Sequence, residues 1–239
     1  MNLDVLVFGA HPDDAELSMG GTIAKLTSGN LKVGLIDLTR GELGTRGTAE
    51  TRQKEAFQSA ILLKSAVREN LQIPDGDIQN NKENFLKVVM SIRKYRPKII
   101  FAPYFHDRHP DHTDTAILVK RAMFATGLLK VKTFDKEVVQ EAYRPLKLYY
   151  YMQTYTFEPS FIIDITDSFD TKMKAVKAYS SQFHNPKSTE PETFISRPEF
   201  INYIESRAKF YGFQIGKNYG EPFYCEEKIE MDFLQMLKK

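Results

Sequence analysis

Between Val5 and Thr126 short β-branched runs alternate with longer amphipathic stretches, and this alternation constrains the chain more than any other feature. Val5–Phe8, Val33–Leu38, Val67–Leu71 and Ile99–Ala102 read as strands. Met19–Thr27, Glu50–Leu62, Asn84–Tyr95 and Thr113–Thr126 read as helices. In the third helix Phe85, Val88, Val89 and Ile92 fall on one stripe, and Pro97 stops it. Strands separated by helices of this length cannot pair as hairpins. They imply βαβ units, a parallel sheet with helices packed on it, and right-handed crossovers. The expected fold class is α/β, a Rossmann-like, mostly parallel sheet flanked by helices.

The second half is less regular. Leu146–Tyr151 and Phe161–Ile165 read as strands, Ser168–Ser181 as a helix capped by Asp167 or Ser168, and Pro198–Tyr211 as a last helix. Phe183–Pro198, with its prolines, reads as a long loop. A length of 239 residues suits one core. The expectation is a single domain over 1–239, with a Rossmann-like core to about residue 165 and a C-terminal elaboration over about 166–239. Tyr149–Tyr151, Phe157 and Phe161 supply either an interface between copies in a homo-oligomer or plain core.

Composition narrows the function. A net charge of +2 with no dense Lys/Arg block lacks the footprint of a nucleic-acid binder. The one cysteine, Cys225, rules out an intrachain disulfide and fits a reducing compartment. No apolar run approaches the roughly 20 residues that span a bilayer, and Asp4 stands where a signal peptide carries basic residues. The expectation is a cytoplasmic protein with no membrane partner.

In an open parallel sheet, ligands bind beyond the carboxyl ends of the strands. Two polar clusters fall there: Gly9-Ala10-His11-Pro12-Asp13-Asp14-Ala15-Glu16 after the first strand, and His106-Asp107-Arg108-His109-Pro110-Asp111-His112 after the fourth. They hold four of the five histidines, a concentration that packing does not explain. A catalytic zinc takes three His or carboxylate ligands and leaves one position open. His11 and Asp14 can point to one side of a strand-to-helix turn, and His109 or His112 completes a His-Asp-His set. Asp13 is then free to take a proton from water as general base. Taken singly, the residues have plainer roles. Asp13, Asp14 or Asp111 can cap the helix that follows it, and a lone His is an ordinary loop residue. Together, on two strand ends, they favour a metal. The first turn lacks the GxGxxG pattern of a dinucleotide site, and the ligand set is open rather than the closed, cysteine-rich set of a structural zinc.

Ala10-His11-Pro12-Asp13-Asp14-Ala15-Glu16 and His109-Pro110-Asp111-His112 resemble the AHPDDxE and HPDH motifs of the LmbE-like, or PIG-L-type, N-acetylglucosaminyl deacetylases. The resemblance extends through Gly20-Gly21-Thr22, Asp37-Leu38-Thr39, Thr51-Arg52, Phe101-Ala102-Pro103 and Tyr179-Ser180-Ser181-Gln182-Phe183. Within that family the chain looks most like the bacillithiol biosynthesis deacetylases, which act on a malate glycoside of N-acetylglucosamine. The resemblance implies zinc held by His11, Asp14 and His112, with iron or manganese accommodated by the same donors. It implies Asp13 as general base, and His109 at the oxyanion or the leaving amine with Asp111 orienting it. It implies Arg52 at the malate carboxylate, against the plainer reading of an exposed helix charge.

Four positions stay open. Arg40–Gly47 is a mobile rim or a surface loop, and Asp107-Arg108 orients the histidine loop or is solvated. Relatives carry a tyrosine where this chain has Phe200, with Tyr203 nearby. His184 is expected at the surface.

Overall fold

The computed structural model describes residues 1–231. The end of the expected elaboration, 232–239, lies outside the described residues. The first half follows the expected alternation: β1 (Val5–Gly9), α1 (Asp14–Ser28), β2 (Val33–Asp37), α2 (Ala49–Leu62), β3 (Val67–Asn70), α3 (Lys82–Tyr95), β4 (Ile99–Pro103) and α4 (Pro110–Thr126). A small hairpin of β5 (Phe134–Asp135) and β6 (Val138–Val139) follows. The chain continues through β7 (Lys147–Tyr151), β8 (Phe161–Asp164), α5 (Phe169–Lys177), α6 (Glu199–Gln214) and β9 (Gly220–Tyr224).

The main sheet has the order β3-β2-β1-β4-β7-β9-β8. β3, β2, β1, β4 and β7 pair in parallel, and β9 runs antiparallel to both its neighbours. The fold is therefore the mostly parallel α/β sheet that the alternation requires. β1 and β2 are buried along their whole length, which is why they read as continuous apolar runs rather than alternating ones. The period of two still sorts their side chains between faces. Leu6, Phe8, Ile36 and Leu38 pack with Val88, Val89 and Ile92 of α3 and with Leu118 and Val119 of α4. Val5, Val7, Val33 and Leu35 pack with Met19 and Ile23 of α1 and Ala175 of α5. Tyr150 and Tyr151 are fully buried, and Tyr149 and Phe161 pack against the same core, so the aromatic stretch is core at these positions.

Differences from the sequence reading have identifiable causes. α1 begins at Asp14, not Met19, because its first turn is lined with buried polar residues (Asp14, Glu16, Ser18) that hide the apolar period. Met19 has non-helical angles, φ −138° and ψ 21°, and kinks the helix. The amides of Gly21 and Thr22 beyond the kink donate to Glu221 Oε1 and Oε2 of β9 at 3.0 and 2.7 Å. Lys172 Nζ of α5 meets the same carboxylate at 2.6 Å. A Cβ on Gly21 would lie 2.6 Å from Ile165 Cδ1, so this close approach requires glycine. β9 escaped notice because its sequence, Gly-Glu-Pro-Phe-Tyr, carries strand-breaking residues. It comes from the expected elaboration yet lies between β7 and β8.

The order 3-2-1-4 places a topological switch at β1 and β4, where neighbouring connections leave in opposite directions. The crevice beyond their carboxyl ends is the place such a sheet offers a ligand. Both histidine clusters open into it. Among the described residues no helix is long and apolar enough to cross a membrane.

Candidate metal and catalytic centre

His11 and Asp14 follow β1, and His112 lies in the first turn of α4. All three are buried, and their ligand atoms lie within 4.8 Å of one another. Asp14 Oδ1 is 3.2 Å from His112 Nε2, and Asp14 Oδ2 is 3.8 Å from His11 Nδ1. The opposite nitrogen of each ring is held by carboxylates. His112 Nδ1 lies 2.8 Å from Asp107, and His11 Nε2 lies 3.0 Å from Asp75 and 3.2 Å from Asp111. A ligating histidine ordinarily has its second nitrogen fixed in this way, which sets its tautomer and ring orientation.

The electrostatics agree with a cation at the centre. Burial works against charging His11 and His112. The carboxylates around them outweigh it and raise the two rings to about 10 and about 9. Burial likewise opposes ionisation of Asp14, but the charge of His112 holds its carboxyl below the usual range. Without a metal, two ring protons neutralise this acidic cluster. A divalent ion carries the same charge and needs the same rings unprotonated. The donor set of two imidazoles and a carboxylate therefore fits a zinc-type ion.

A second grouping, His11, His109 and Asp111, shares His11. Its donors are already engaged: His109 Nδ1 accepts the Asp111 amide at 3.2 Å, and Asp111 Oδ2 accepts the Gly76 amide at 2.9 Å. Asp111 was expected as the orienting partner of His109, and its contact with that ring runs through its backbone N–H. α4 starts at Pro110, three residues before the expected helix, so Asp111 sits in the first turn with its carboxylate turned to His11. His109 is half-buried, with its ring centroid 4.8 Å from that of His11. Burial, together with the neighbouring His11 and His112 charges, lowers its pKa. The neutral ring accepts at Nδ1 and so carries its proton on Nε2.

Asp13 occupies the N-cap position of α1, but its side chain makes no cap bond. Its Oδ2 meets Arg52 Nη2 at 2.9 Å, and the same nitrogen donates to the Pro12 carbonyl. Burial raises the Asp13 carboxyl above the usual carboxylate range, against the pull of Arg52. Arg52 was expected to offer a free fork to a substrate carboxylate. It does line the cavity and is only 5 % exposed, but one arm of the fork is taken by Asp13.

The cavity over the centre measures about 460 Å³. Leu17, Phe194, Ile195, Phe200 and Ile204 form an apolar wall, with Tyr203 beside them. Leu43, Gly44 and Thr45 line it too, which places the Arg40–Gly47 loop at the rim. Asp107 orients the histidine loop: besides His112 it accepts the amides of His109, Thr154 and Tyr155. Arg108 lines the cavity with its guanidinium 4.7 Å from the Phe194 ring centroid, and forms no ion pair among the described residues. His184 is exposed, as expected.

Sequence reasoning missed Asp75 and Gly76. The Pro74–Asp77 stretch reads as a turn and nothing more, yet it follows β3, whose carboxyl end faces the same crevice. An acid at the end of a third parallel strand was the signal available.

Residues 6–123 match the PIG-L family, GlcNAc-PI de-N-acetylase. The diacetylchitobiose deacetylase of Thermococcus kodakarensis is 30 % identical over 227 residues, covering 91 % of this chain and 80 % of that protein. A conserved protein of Thermus thermophilus superposes with a TM-score of 0.86 at 35 % identity, covering 96 % of this chain and 97 % of its own. The N,N'-diacetylchitobiose deacetylase of Pyrococcus horikoshii, in complex with an inhibitor, gives 0.78 at 29 % identity, covering 92 % and 82 %. The two named deacetylases act on diacetylchitobiose, so the finer resemblance to bacillithiol enzymes gains no support from them. At this identity and coverage, with the motif histidines and aspartates gathered in one crevice, the chain belongs to the PIG-L family of N-acetyl deacetylases.

Proposed function

We propose that this deacetylase uses zinc to remove the acetyl group from an N-acetylglucosaminyl conjugate, and that the conjugate is N-acetylglucosaminyl malate, as in bacillithiol biosynthesis. The observation that carries the reaction is the buried His11–Asp14–His112 set with the unligated Asp13 carboxylate beside it. Bound there, zinc supplies Lewis acidity toward the acetamide carbonyl and acidifies water. Asp13 takes the proton of the attacking water. His109 Nε2–H donates to the oxyanion as the carbonyl carbon becomes tetrahedral, a contact that strengthens as charge develops. The proton held by Asp13 then passes to the leaving amine, and acetate departs. Asp107, Asp75 and Asp111 hold the two ligand rings throughout.

The malate reading rests on Arg108. Among the described residues Arg108 and Arg207 line the cavity without a carboxylate partner; Arg207 spends its fork on the carbonyls of Gln153 and Leu17, which leaves the planar fork of Arg108 to match one. A second reading is favoured by the wall opposite. Phe200 and the 41 % exposed Tyr203 offer faces on which the second ring of diacetylchitobiose stacks. Acetate release by the zinc-loaded protein decides between them. The malate reading expects kcat/KM for N-acetylglucosaminyl malate well above that for diacetylchitobiose and free N-acetylglucosamine. The reverse order keeps the chemistry and removes malate.

A further inference from the structure

The turn that presents Asp13 is closed on itself by the His11 amide on Asp14 Oδ2 at 2.9 Å, but the Asp13 side chain is held from outside the turn. Asp13 has φ 115° and ψ −24°, a region that a residue with a Cβ occupies only where its surroundings over-determine it. Local capping does not provide this, since the Asp13 side chain makes no bond to the first turn of α1. Arg52 does. Through Nη2 it grips the Asp13 carboxylate at 2.9 Å and the carbonyl of Pro12, the residue before it.

The grip is itself anchored on two sides. One turn further along α2, Glu55 accepts Ser180 Oγ, the Ser181 amide and Ser181 Oγ at 3.1, 2.7 and 2.7 Å. This bolts α2 to the segment after α5. On the other side, the loop after β2 closes on the guanidinium at Gly41, where φ is +66°. A Cβ there would lie 2.5 Å from Arg52 Nη1 and 2.9 Å from Cζ, so both the backbone angle and the space exclude a side chain. Gly41 is not among the residues lining the cavity.

We infer that Arg52 is the positioning residue of the catalytic base, holding the Asp13 carboxylate in its strained turn, and that Gly41 is the residue that lets the loop lock Arg52 in place. The inference rests on the reading of Asp13 as the base. It departs from the role that the family resemblance implies for Arg52, contact with a substrate carboxylate.

The test uses the zinc-loaded protein and four variants: Arg52→Ala, Arg52→Lys, Gly41→Ala and the double variant Arg52→Ala/Gly41→Ala. Misplacement of a reacting group by about 1 Å costs on the order of 100-fold in rate. Arg52→Ala and Gly41→Ala are each expected to lose kcat on that scale, with KM and zinc content held. Arg52→Lys retains a charge but not the fork, and recovers kcat only in part. Added guanidinium ion restores turnover to Arg52→Ala. The double variant is no slower than Arg52→Ala alone, because both changes break one interaction. A rise in KM at unchanged kcat in Arg52→Ala would instead make Arg52 a substrate clamp. Fully additive losses would detach Gly41 from it. Crystal structures of Arg52→Ala and Gly41→Ala read the same question without turnover. The Asp13 carboxylate is displaced in both if the inference holds, and an unmoved Asp13 overturns it. Wild-type silence on every N-acetylglucosaminyl substrate would sink the proposed reaction, while the crystallographic comparison still decides this point.

Discussion

Asp111 Oδ2 lies 3.2 Å from His11 Nε2 and accepts the Gly76 amide with the same oxygen. The second half of the HPDH motif thus steadies a ligand delivered by the first motif, a hundred residues away in the chain. Removing such a support typically costs 10–100-fold in metal affinity. Asp111→Asn is therefore expected to weaken zinc binding by about that factor, with the fold intact. Competition with a chromophoric chelator measures it. Unchanged affinity together with a large fall in kcat would return Asp111 to the role first expected of it, the orientation of His109.

The two aspartates of the first motif separate by experiment. Asp13→Ala is expected to keep zinc and lose about 10²- to 10⁴-fold in kcat, the range of a general base. His11→Ala is expected to lose the metal itself. Metal analysis beside turnover distinguishes them, and zinc loss from Asp13→Ala would show that the aspartates had been assigned the wrong way round.

Much of this was legible in the sequence, for physical reasons that also mark the limits. The strands β1 and β4, and β2 up to Asp37, are apolar because both faces of a parallel sheet are covered, and their carboxyl ends locate the crevice without coordinates. Residue type and position point to His11, Asp14 and one of His109 and His112, and the choice of His112 comes from the family resemblance. What the sequence hid were partnerships across long separations. Asp75 belongs to a third strand end, and nothing in its neighbours distinguishes it from a turn residue. The commitment of Arg52 to Asp13 depends on how α2 is docked, through Glu55 and the Ser180–Ser181 hydroxyls. The early start of α1 was masked because its polar residues face inward. Glu16, for example, accepts Ser59 Oγ at 2.7 Å and the Tyr179 hydroxyl at 3.0 Å with no solvent exposure.

Metal uptake should release protons. In the free protein His11 and His112 are raised to about 10 and about 9 by the surrounding carboxylates. Both rings therefore carry a proton at pH 7, and both must lose it to bind the ion. Apparent zinc affinity is expected to fall as pH falls, with close to two protons released per ion below about pH 8 and progressively fewer as pH rises through about 9 and about 10. Calorimetric titration in buffers of different ionisation enthalpy counts them. Zinc uptake with no proton release at pH 7 would mean that the free rings are neutral.

Arg108 is the substitution that discriminates between substrates. A hydrogen bond to a charged group contributes about 1.5–3 kcal/mol, or roughly 10- to 100-fold in kcat/KM. Arg108→Ala is expected to lose that factor on N-acetylglucosaminyl malate and little on diacetylchitobiose, measured by acetate release on each. Equal losses on both would remove Arg108 as the reader of an acidic aglycone.

The Glu221 carboxylate holds the middle of α1. It accepts the Gly21 and Thr22 amides beyond the Met19 kink and pairs with Lys172, which is 2 % exposed. Burial pushes the Lys172 ammonium below its usual range in spite of that partner. The two ends of the pair are not equivalent. Glu221→Leu strands an ammonium and two helix amides together, and breaking a buried pair in this way costs about 3–5 kcal/mol. Lys172→Met leaves the carboxylate held by two amides and is expected to cost about 1–3 kcal/mol. Urea unfolding of the zinc-free protein, where metal binding does not contribute, gives both values. If Lys172→Met proved the more damaging, the carboxylate would not be satisfied by the helix amides alone.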